Sequence, residues 1–407
     1  MKILMLGLNY APELTGVAVY TTELAEALCA RGHHVKVVTS YPYYPHWKIQ
    51  NGFHSRLWLS QAAPNMTIKR CPLYVPQQPS ALKRVVHHAS FASSAIGPFL
   101  RCAQRFKPDL IWTVAPSLIA APLALLASKI CGARTWLHVQ DFEIEAALAT
   151  RQFSDKAGPV RFGLGLEKHI LKRFDRLSSI SPEMCLRLRE KGCAKDSVFE
   201  FRNWADVDAV RPDIPSHFRT KWGIKSQHVA LYSGALSEKQ GLESLVDAAR
   251  LLEGVCDLTM VICGDGPRRQ SLIDRARGLT NIMFKDLQSK DQLGALLSMA
   301  SMHVLPQKDD VADLVLPSKL TNMLASGRTV IAGVRPDRGL AREINGCGVI
   351  VPPEDPSALA AAIHALSKDD HRRAALGAKA RERAKAVWSR DTIIDRLESA
   401  FSDLVAA

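Results

Sequence analysis

The chain has 407 residues, 47% hydrophobic and 23% charged, which suits two or three ordinary globular domains and excludes a disordered or fibrous chain. Nine cysteines without a C-x-x-C pair argue against a disulfide framework or zinc site and for a reducing, cytosolic setting. The net charge of +13 is uneven: residues 1–140 hold fourteen Lys or Arg against four Asp or Glu, a net of +10, so this third either meets an acidic partner (nucleic acid, anionic lipid, a phosphorylated small molecule) or is incidentally basic.

Residues 1–8 already read as a strand, with no n-region or cleavage site of a secretion signal. Lys2-Ile-Leu-Met-Leu-Gly-Leu-Asn-Tyr-Ala-Pro12 predicts a first strand buried in a parallel sheet. A helix over 17–31 follows, with Tyr20, Leu24, Ala27 and Leu28 on its apolar face. Gly32 stops it, and residues 34–40 form the second strand. This βαβ unit places Gly16 at the first strand-to-helix turn, where backbone N–H groups can meet a phosphate. No G-x-G-x-x-G occurs, so a nicotinamide dinucleotide is not signalled. The aromatic stretch Tyr41-Pro-Tyr-Tyr-Pro-His-Trp47 either stacks on a sugar or lipid, with Tyr43 on the acceptor side, or simply packs. Residues 67–74 are a basic strand.

Over 79–106, Val85, Ala89, Ala92, Ile96 and Phe99 form an apolar stripe at helical spacing. Lys83, Arg84, His87 and His88 cluster at one end, and Arg101, Arg105 and Lys107 at the other. Such a helix either lies on an anionic bilayer surface or covers the sheet with a solvated basic rim. The charge-free run 110–128 is long enough for a membrane span, but Pro116 and Pro122 interrupt it, and a strand over 108–116 followed by an apolar helix over 117–131 fits better. The strand over 134–140 points Trp136, His138 and Gln140 to one face, and Asp141 arrives at its carboxyl end, where open parallel sheets bind ligands. His138 and Asp141 are the acid/base candidates; the other reading is a core histidine and a helix-capping aspartate. Residues 142–150 continue beside them as loop or helix. After helices over 161–174 and 182–191 and strands over 177–181 and 199–204, residues 205–215 form a linker. Its Asp206-x-Asp208 pair mimics a metal-binding D-x-D and reads as accidental there.

A second αβ series begins at His228. Val229-Ala-Leu-Tyr-Ser233 runs into Gly234-Ala-Leu-Ser-Glu-Lys-Gln-Gly241, where Gly234 and Lys239 form an anion cradle before a helix over 242–252. The strand over 258–263 ends in Gly264-Asp-Gly-Pro267, which sets Gly264 and Gly266 at another turn. In the stretch 311–332, Pro317 suits a helix start, Ser318 can cap it, and Lys319 adds charge beside the free N–H groups. Asn322, one turn on, can bond a sugar hydroxyl. An ordinary helix–strand unit has the same pattern. Gly327 stops the helix, residues 329–332 are a strand, 352–387 a helical block and 388–407 a final helix.

The expected fold is α/β: two Rossmann-like domains with parallel sheets facing a cleft, over 1–205 and 206–385, with a C-terminal helix over 386–407 packing back toward the first. Order and spacing resemble the GT-B-fold retaining glycosyltransferases, family 4-like and group 1. The motifs are Asn9-Tyr-Ala-Pro-Glu-Leu-Thr-Gly16, Gly32-His-His-Val-Lys-Val-Val-Thr39, Ser179-Ile-Ser-Pro182, Arg202-Asn-Trp-Ala-Asp-Val-Asp208, Gly264-Asp-Gly-Pro267 and Ala325-Ser-Gly327. Tyr41-Pro-Tyr-Tyr-Pro45, His138-Val-Gln-Asp141, Lys239-Gln-Gly-Leu-Glu243 and Leu316-Pro-Ser-Lys319 resemble most the colanic-acid-type fucosyltransferase branch.

The resemblance implies a retaining transfer without metal or other cofactor. A UDP- or GDP-sugar donates fucose, a related hexose or an N-acetylhexosamine to a lipid-diphosphate-linked or other saccharide acceptor. Gly16 contacts the donor phosphates, and Lys239 neutralises the departing diphosphate with Ser318 and Lys319 beside it. Tyr43, Lys83 and Arg84 lie on the acceptor and membrane side, on a protein peripheral to the inner face of the cytoplasmic membrane and binding no nucleic acid. Two departures stand out: Ala235 occupies the place of an arginine, and Leu314 and Asn322 fall at or near two glutamate positions. The rival readings are a nucleotide-sugar 2-epimerase of the same fold and a basic nucleic-acid-binding or scaffold protein.

Overall fold

A computed structural model describes the chain apart from residues 15, 54–56, 117, 143–157 and 310–318. The chain forms two compact units, Met1–Arg202 with Ile394–Ala407, and Asn203–Ile393.

The first unit is built on an eight-stranded sheet ordered β3-β4-β2-β1-β5-β6-β7-β8. Its strands are β1 (Lys2–Gly7), β2 (His34–Ser40), β3 (Leu59–Ala63), β4 (Met66–Cys71), β5 (Leu110–Ala115), β6 (Arg134–Val139), β7 (Arg176–Ser179) and β8 (Val198–Glu200). All pairs are parallel except β3 with β4. Aliphatic runs such as β1 and β5 are buried on both faces, as central parallel strands must be. In the second unit β9 (His228–Ser233), β10 (Leu258–Cys263), β11 (Ile282–Lys285), β12 (Met302–Pro306), β13 (Thr329–Gly333) and β14 (Gly348–Val351) form a parallel sheet ordered β11-β10-β9-β12-β13-β14. Strand order reverses between β1 and β5 in one sheet and between β9 and β12 in the other. Those switch points, at the carboxyl ends of the strands, are where a doubly wound sheet opens a crevice.

The run 110–128 is strand β5, a 3-10 turn and the helix Ala121–Cys131, and among the described residues no helix is long and apolar enough to cross a membrane. Strands β3 and β14 were not legible in the sequence. The first is an exposed edge of Ser, Gln and Ala, and the second has four residues. The helical block over 352–387 is two helices, Pro356–Lys368 and Asp370–Trp388, because the Asp369 side chain caps the second through Arg372 N–H at 2.8 Å.

The helix Ala81–Phe106 starts at Ser80, whose hydroxyl accepts from Lys83 N–H. Its buried face is Phe91, Ala92, Ala95, Phe99, Cys102 and Ala103, with His87 at the near end. This corrects part of the predicted stripe: Ala92 and Phe99 are buried as expected, but Val85 and Ile96 are exposed, with Leu82 and Val86. His87 is also no part of the basic rim, since burial pushes its pKa down to about 4.

The last helix, Arg390–Ala406, buries Ile394, Leu397, Phe401 and Leu404. Phe401 sets its ring edge-on to Trp136 at 5.1 Å and to Trp112 at 5.4 Å. Arg31 and His33 pair with Asp395 and Glu398 at 2.8 and 2.7 Å. The C-terminal segment is thereby part of the first unit's core. Phe401→Ala is expected to destabilise that unit by about 3–5 kcal/mol, measured by denaturant unfolding followed through tryptophan fluorescence, with Phe401→Leu costing less.

Candidate functional site

At the carboxyl end of β1 the chain turns through Asn9–Glu13 to Gly16, which caps the helix Val17–Ala30 with φ 63° and without any side-chain cap. Only glycine takes that backbone angle without strain, and the first-turn N–H groups keep no side-chain partner at the cap. Glu13 is buried there. Its Oε1 accepts the N–H groups of Tyr43 and Tyr44 at 2.8 and 2.9 Å, and its Oε2 accepts from Asn9 Nδ2 at 2.9 Å. Burial raises its pKa against the pull of those bonds. One carboxyl group therefore fastens the aromatic loop 41–47 to the turn that leads to Gly16. Arg70, also buried, donates to Ala11 O and to Gln61 Oε1, bracing the same turn from β4.

Tyr43 does not present a face to solvent. Its ring packs 4.5 Å from His87 and 5.5 Å from Trp47. Tyr44, Tyr74 and Trp58 are the exposed aromatics nearby in sequence, and Trp58 Nε1 bonds Ser94 O of the helix Ala81–Phe106. Lys83 and Arg84 are exposed in that helix's first turns, with the Arg84 guanidinium 5.6 Å from the Trp47 ring.

The structure corrects the acid/base reading of His138. Its ring is 2% exposed, stacked on Trp112 at 5.4 Å and edge-on to Phe201 at 5.0 Å. Nδ1 bonds Ser178 Oγ at 2.9 Å, and burial pushes its pKa down to about 3. A neutral ring sealed among aromatics is a core group. Asp141 is exposed at the end of β6. Residues 143–150 lie outside the described residues. Asp206 uses its Oδ1 to accept from Asp208 and Ala209 N–H, a local turn that accounts for the D-x-D pair.

In the second unit, the switch point after β9 holds a lysine amine. Lys319 opens the helix Lys319–Ala325, and its Nζ donates to Tyr232 Oη at 2.7 Å and Gln240 Oε1 at 2.9 Å. The amine also sits 4.3 Å from the Tyr232 ring centroid. Both hydrogen-bond partners are neutral, and burial pushes the lysine pKa from 10.5 to about 7. Glu238 and Glu243, on the turn and helix that follow β9, pair instead with Lys308 and Arg268. A Cβ at Gly234 would lie 3.0 Å from the amine, so glycine leaves that approach open.

Gly264 and Gly266 are needed for a different reason. A Cβ at Gly264 would meet Gly234 O at 1.9 Å, and one at Gly266 would meet Leu236 O at 2.5 Å. The turns after β9 and β10 therefore touch backbone to backbone, joined by Leu236 N–H to Asp265 O at 2.8 Å. Lys239 belongs to the short turn Glu238–Gln240 between them, its side chain lying outside the described atoms. Asn322 is half-buried one turn after Lys319, while Pro317 and Ser318 lie outside the described residues. Gly327 ends the helix with φ 66°, as expected.

Sequence reasoning missed Tyr232, Gln240 and Glu13. Tyr232 is one of six buried residues in a strand, and Gln240 is a polar residue in a turn; neither carries a signal of its own. Glu13 had one available clue, as one of only four carboxylates in the basic first third.

Residues 15–204 match the glycosyl transferase 4-like domain, and residues 216–383 match the glycosyl transferases group 1 family. WcaI of Escherichia coli (strain K12), which carries the name of a colanic acid biosynthesis glycosyl transferase, is 41% identical over 89% of this chain and 91% of its own. The fold matches sucrose-phosphate synthase from Thermosynechococcus elongatus with a TM-score of 0.75 at 19% identity, over 100% of this chain and 99% of that one. It also matches Anabaena HepE, solved with UDP and glucose, with a TM-score of 0.70 at 17% identity, over 99% and 100% of the two chains. A 4-like domain followed by a group 1 domain, on two parallel-sheet units of GT-B type, makes this chain a member of the group 1, 4-like glycosyltransferase family.

Proposed function

We propose that the chain moves fucose, a related hexose or an N-acetylhexosamine from a UDP- or GDP-sugar to a lipid-diphosphate-linked saccharide, with retention and without a metal, in assembly of a cell-surface polysaccharide. One observation carries the reading: a buried lysine amine with no carboxylate partner among the described residues stands at the switch point of the second unit. A site that holds a lysine amine without a counter-ion is suited to a diphosphate. The likeness to WcaI supports the polysaccharide setting, and HepE, with its UDP and glucose, supports a nucleotide donor on this fold.

In this reading the chemistry is charge stabilisation. Negative charge grows on the diphosphate as the glycosidic bond breaks, and Lys319 and Lys239 meet it without reorganising. The departing phosphate oxygen takes the acceptor hydroxyl's proton on the face it leaves, which gives retention without a paired carboxylate. Asn322 faces the donor from the same helix as Lys319, and Asp141 orients an acceptor or sugar hydroxyl. His138 supports the β6 end only through packing.

The first unit takes the acceptor. Leu82, Val85 and Val86 are exposed on the same turns as Lys83 and Arg84, and Trp58 stands beside that helix 53% exposed. Apolar side chains flanked by cations fit the interface of an anionic bilayer. The protein then works at the inner membrane face.

Lys239→Ala is expected to lower kcat by about 10²–10³-fold with an unchanged circular dichroism spectrum; near-normal turnover in the folded variant removes Lys239 from the reaction. Donor incubated alone should yield no epimerised sugar, the product a 2-epimerase would form. Each cation at an anionic surface contributes about 1 kcal/mol, so the Lys83→Ala, Arg84→Ala double variant should bind anionic liposomes about 30-fold more weakly. Equal liposome binding and equal activity on a lipid acceptor would leave the membrane role without support.

A further inference from the structure

We propose that Tyr232 and Gln240 are positioning residues that hold Lys319 ready as an uncharged amine, and that the donor diphosphate charges it, so that donor binding takes up one proton from solution. The inference rests on the reading of the second unit as the donor site and adds how that site acquires its charge.

The geometry is that of an amine waiting for an anion. Lys319 Nζ has a phenol at 2.7 Å and an amide oxygen at 2.9 Å, and lies 4.3 Å from the centroid of an aromatic ring. Tyr232 Oη in turn lies 2.7 Å from Ala235 O, which fixes the phenol. Phenol and amide oxygens solvate an ammonium only in part, and neither neutralises it.

Among the described residues, the charged groups around it do not change this balance. From β9 comes Tyr232, whose own phenol is held protonated by burial. From the turn after β9 come Glu238, committed to Lys308 and Arg268, and Lys239. From the next helix comes Glu243, committed to Arg268. Lys308 follows β12 and Arg268 follows β10, and both are neutralised by those carboxylates. Burial alone brings the free amine to about 7.

A diphosphate arriving at this point brings the missing counter-charge and favours the ammonium. The sign follows by linkage. Below about pH 7 the free amine is already protonated, and binding takes up nothing. Above it the free amine is neutral and the bound one charged, so binding consumes a proton and weakens up to about tenfold per pH unit. The unliganded protein shows the converse. The amine binds its proton less readily folded than unfolded, so its contribution to stability grows as pH rises from about 7 toward 10.5.

The test is calorimetric titration of the full chain with UDP-glucose and with GDP-mannose, in buffers of differing ionisation enthalpy, from pH 6 to 8.5. Neither the diphosphate diester nor the base of these donors titrates in that range. The expected result is near-zero proton uptake at pH 6, uptake approaching one proton at pH 8, and a Kd about fivefold weaker at pH 8 than at pH 7. Lys319→Met should bind more weakly with no pH-dependent uptake, and its unliganded Tm should exceed the wild-type value at pH 7 but not near pH 10. Tight binding without proton uptake at pH 8 overturns the inference and leaves the donor site standing. Uptake that persists in Lys319→Met also overturns it, by placing the proton elsewhere. Failure of both nucleotide sugars to bind at any pH overturns the donor site itself, and the inference with it.

Discussion

An amine removed from water without an anion beside it is costly, and the second unit is arranged to tolerate one. Tyr232 and Gln240 hold Lys319 where strand order reverses, and the nearest acidic side chains on the preceding turn and helix are committed to Lys308 and Arg268. In the proposed function that cost is offset when the donor diphosphate binds. Much of the surrounding backbone serves the same end. Glycines 264 and 266 let the turns after β9 and β10 close on each other, and Gly234 leaves the approach to the amine free of a side chain. At the other end of the lysine's helix, the Arg381 guanidinium bonds Ala325 O at 2.8 Å together with Val207 O and Val210 O, both at 2.7 Å. It thereby caps the short helix and ties it to the start of the unit.

The first unit solves a related problem with the opposite charge. Glu13 is a buried carboxylate that gathers two backbone N–H groups and an amide into one knot, and so fixes the aromatic loop against the Gly16 turn. Its surface away from that knot is cationic and apolar, which suits an anionic acceptor. The two units thus place different chemistry at equivalent edges of similar sheets, as a two-substrate transferase requires.

Most of the architecture was legible because central parallel strands are nearly pure aliphatic runs and helices end at glycines. The strands β1, β2, β5, β6, β9, β10 and β13 were readable from that alone, whereas β3 and β14, exposed or very short, left no periodic trace. For the sites, backbone requirements were readable and side-chain surroundings were not. Gly16 and Gly234 stand at the switch points where the turns predicted them. The sequence placed His138 near a strand end but could not show that Trp112, Phe201 and the Ser178 hydroxyl would enclose it. Nor does a lysine at a helix start reveal that its amine turns inward onto a tyrosine 87 residues earlier in the chain; that contact is made by the fold.

The most direct test of the central claim is the thermal unfolding of the wild-type chain and of Lys319→Met with a panel of UDP- and GDP-sugars. A donor bound at a hundredfold excess over its Kd stabilises the native state by about 2.7 kcal/mol. At least one member of the panel should raise the wild-type Tm by several degrees and leave the Tm of Lys319→Met nearly unmoved. Equal protection of both proteins by the same nucleotide sugar would show that the diphosphate is held elsewhere, and would contradict the account.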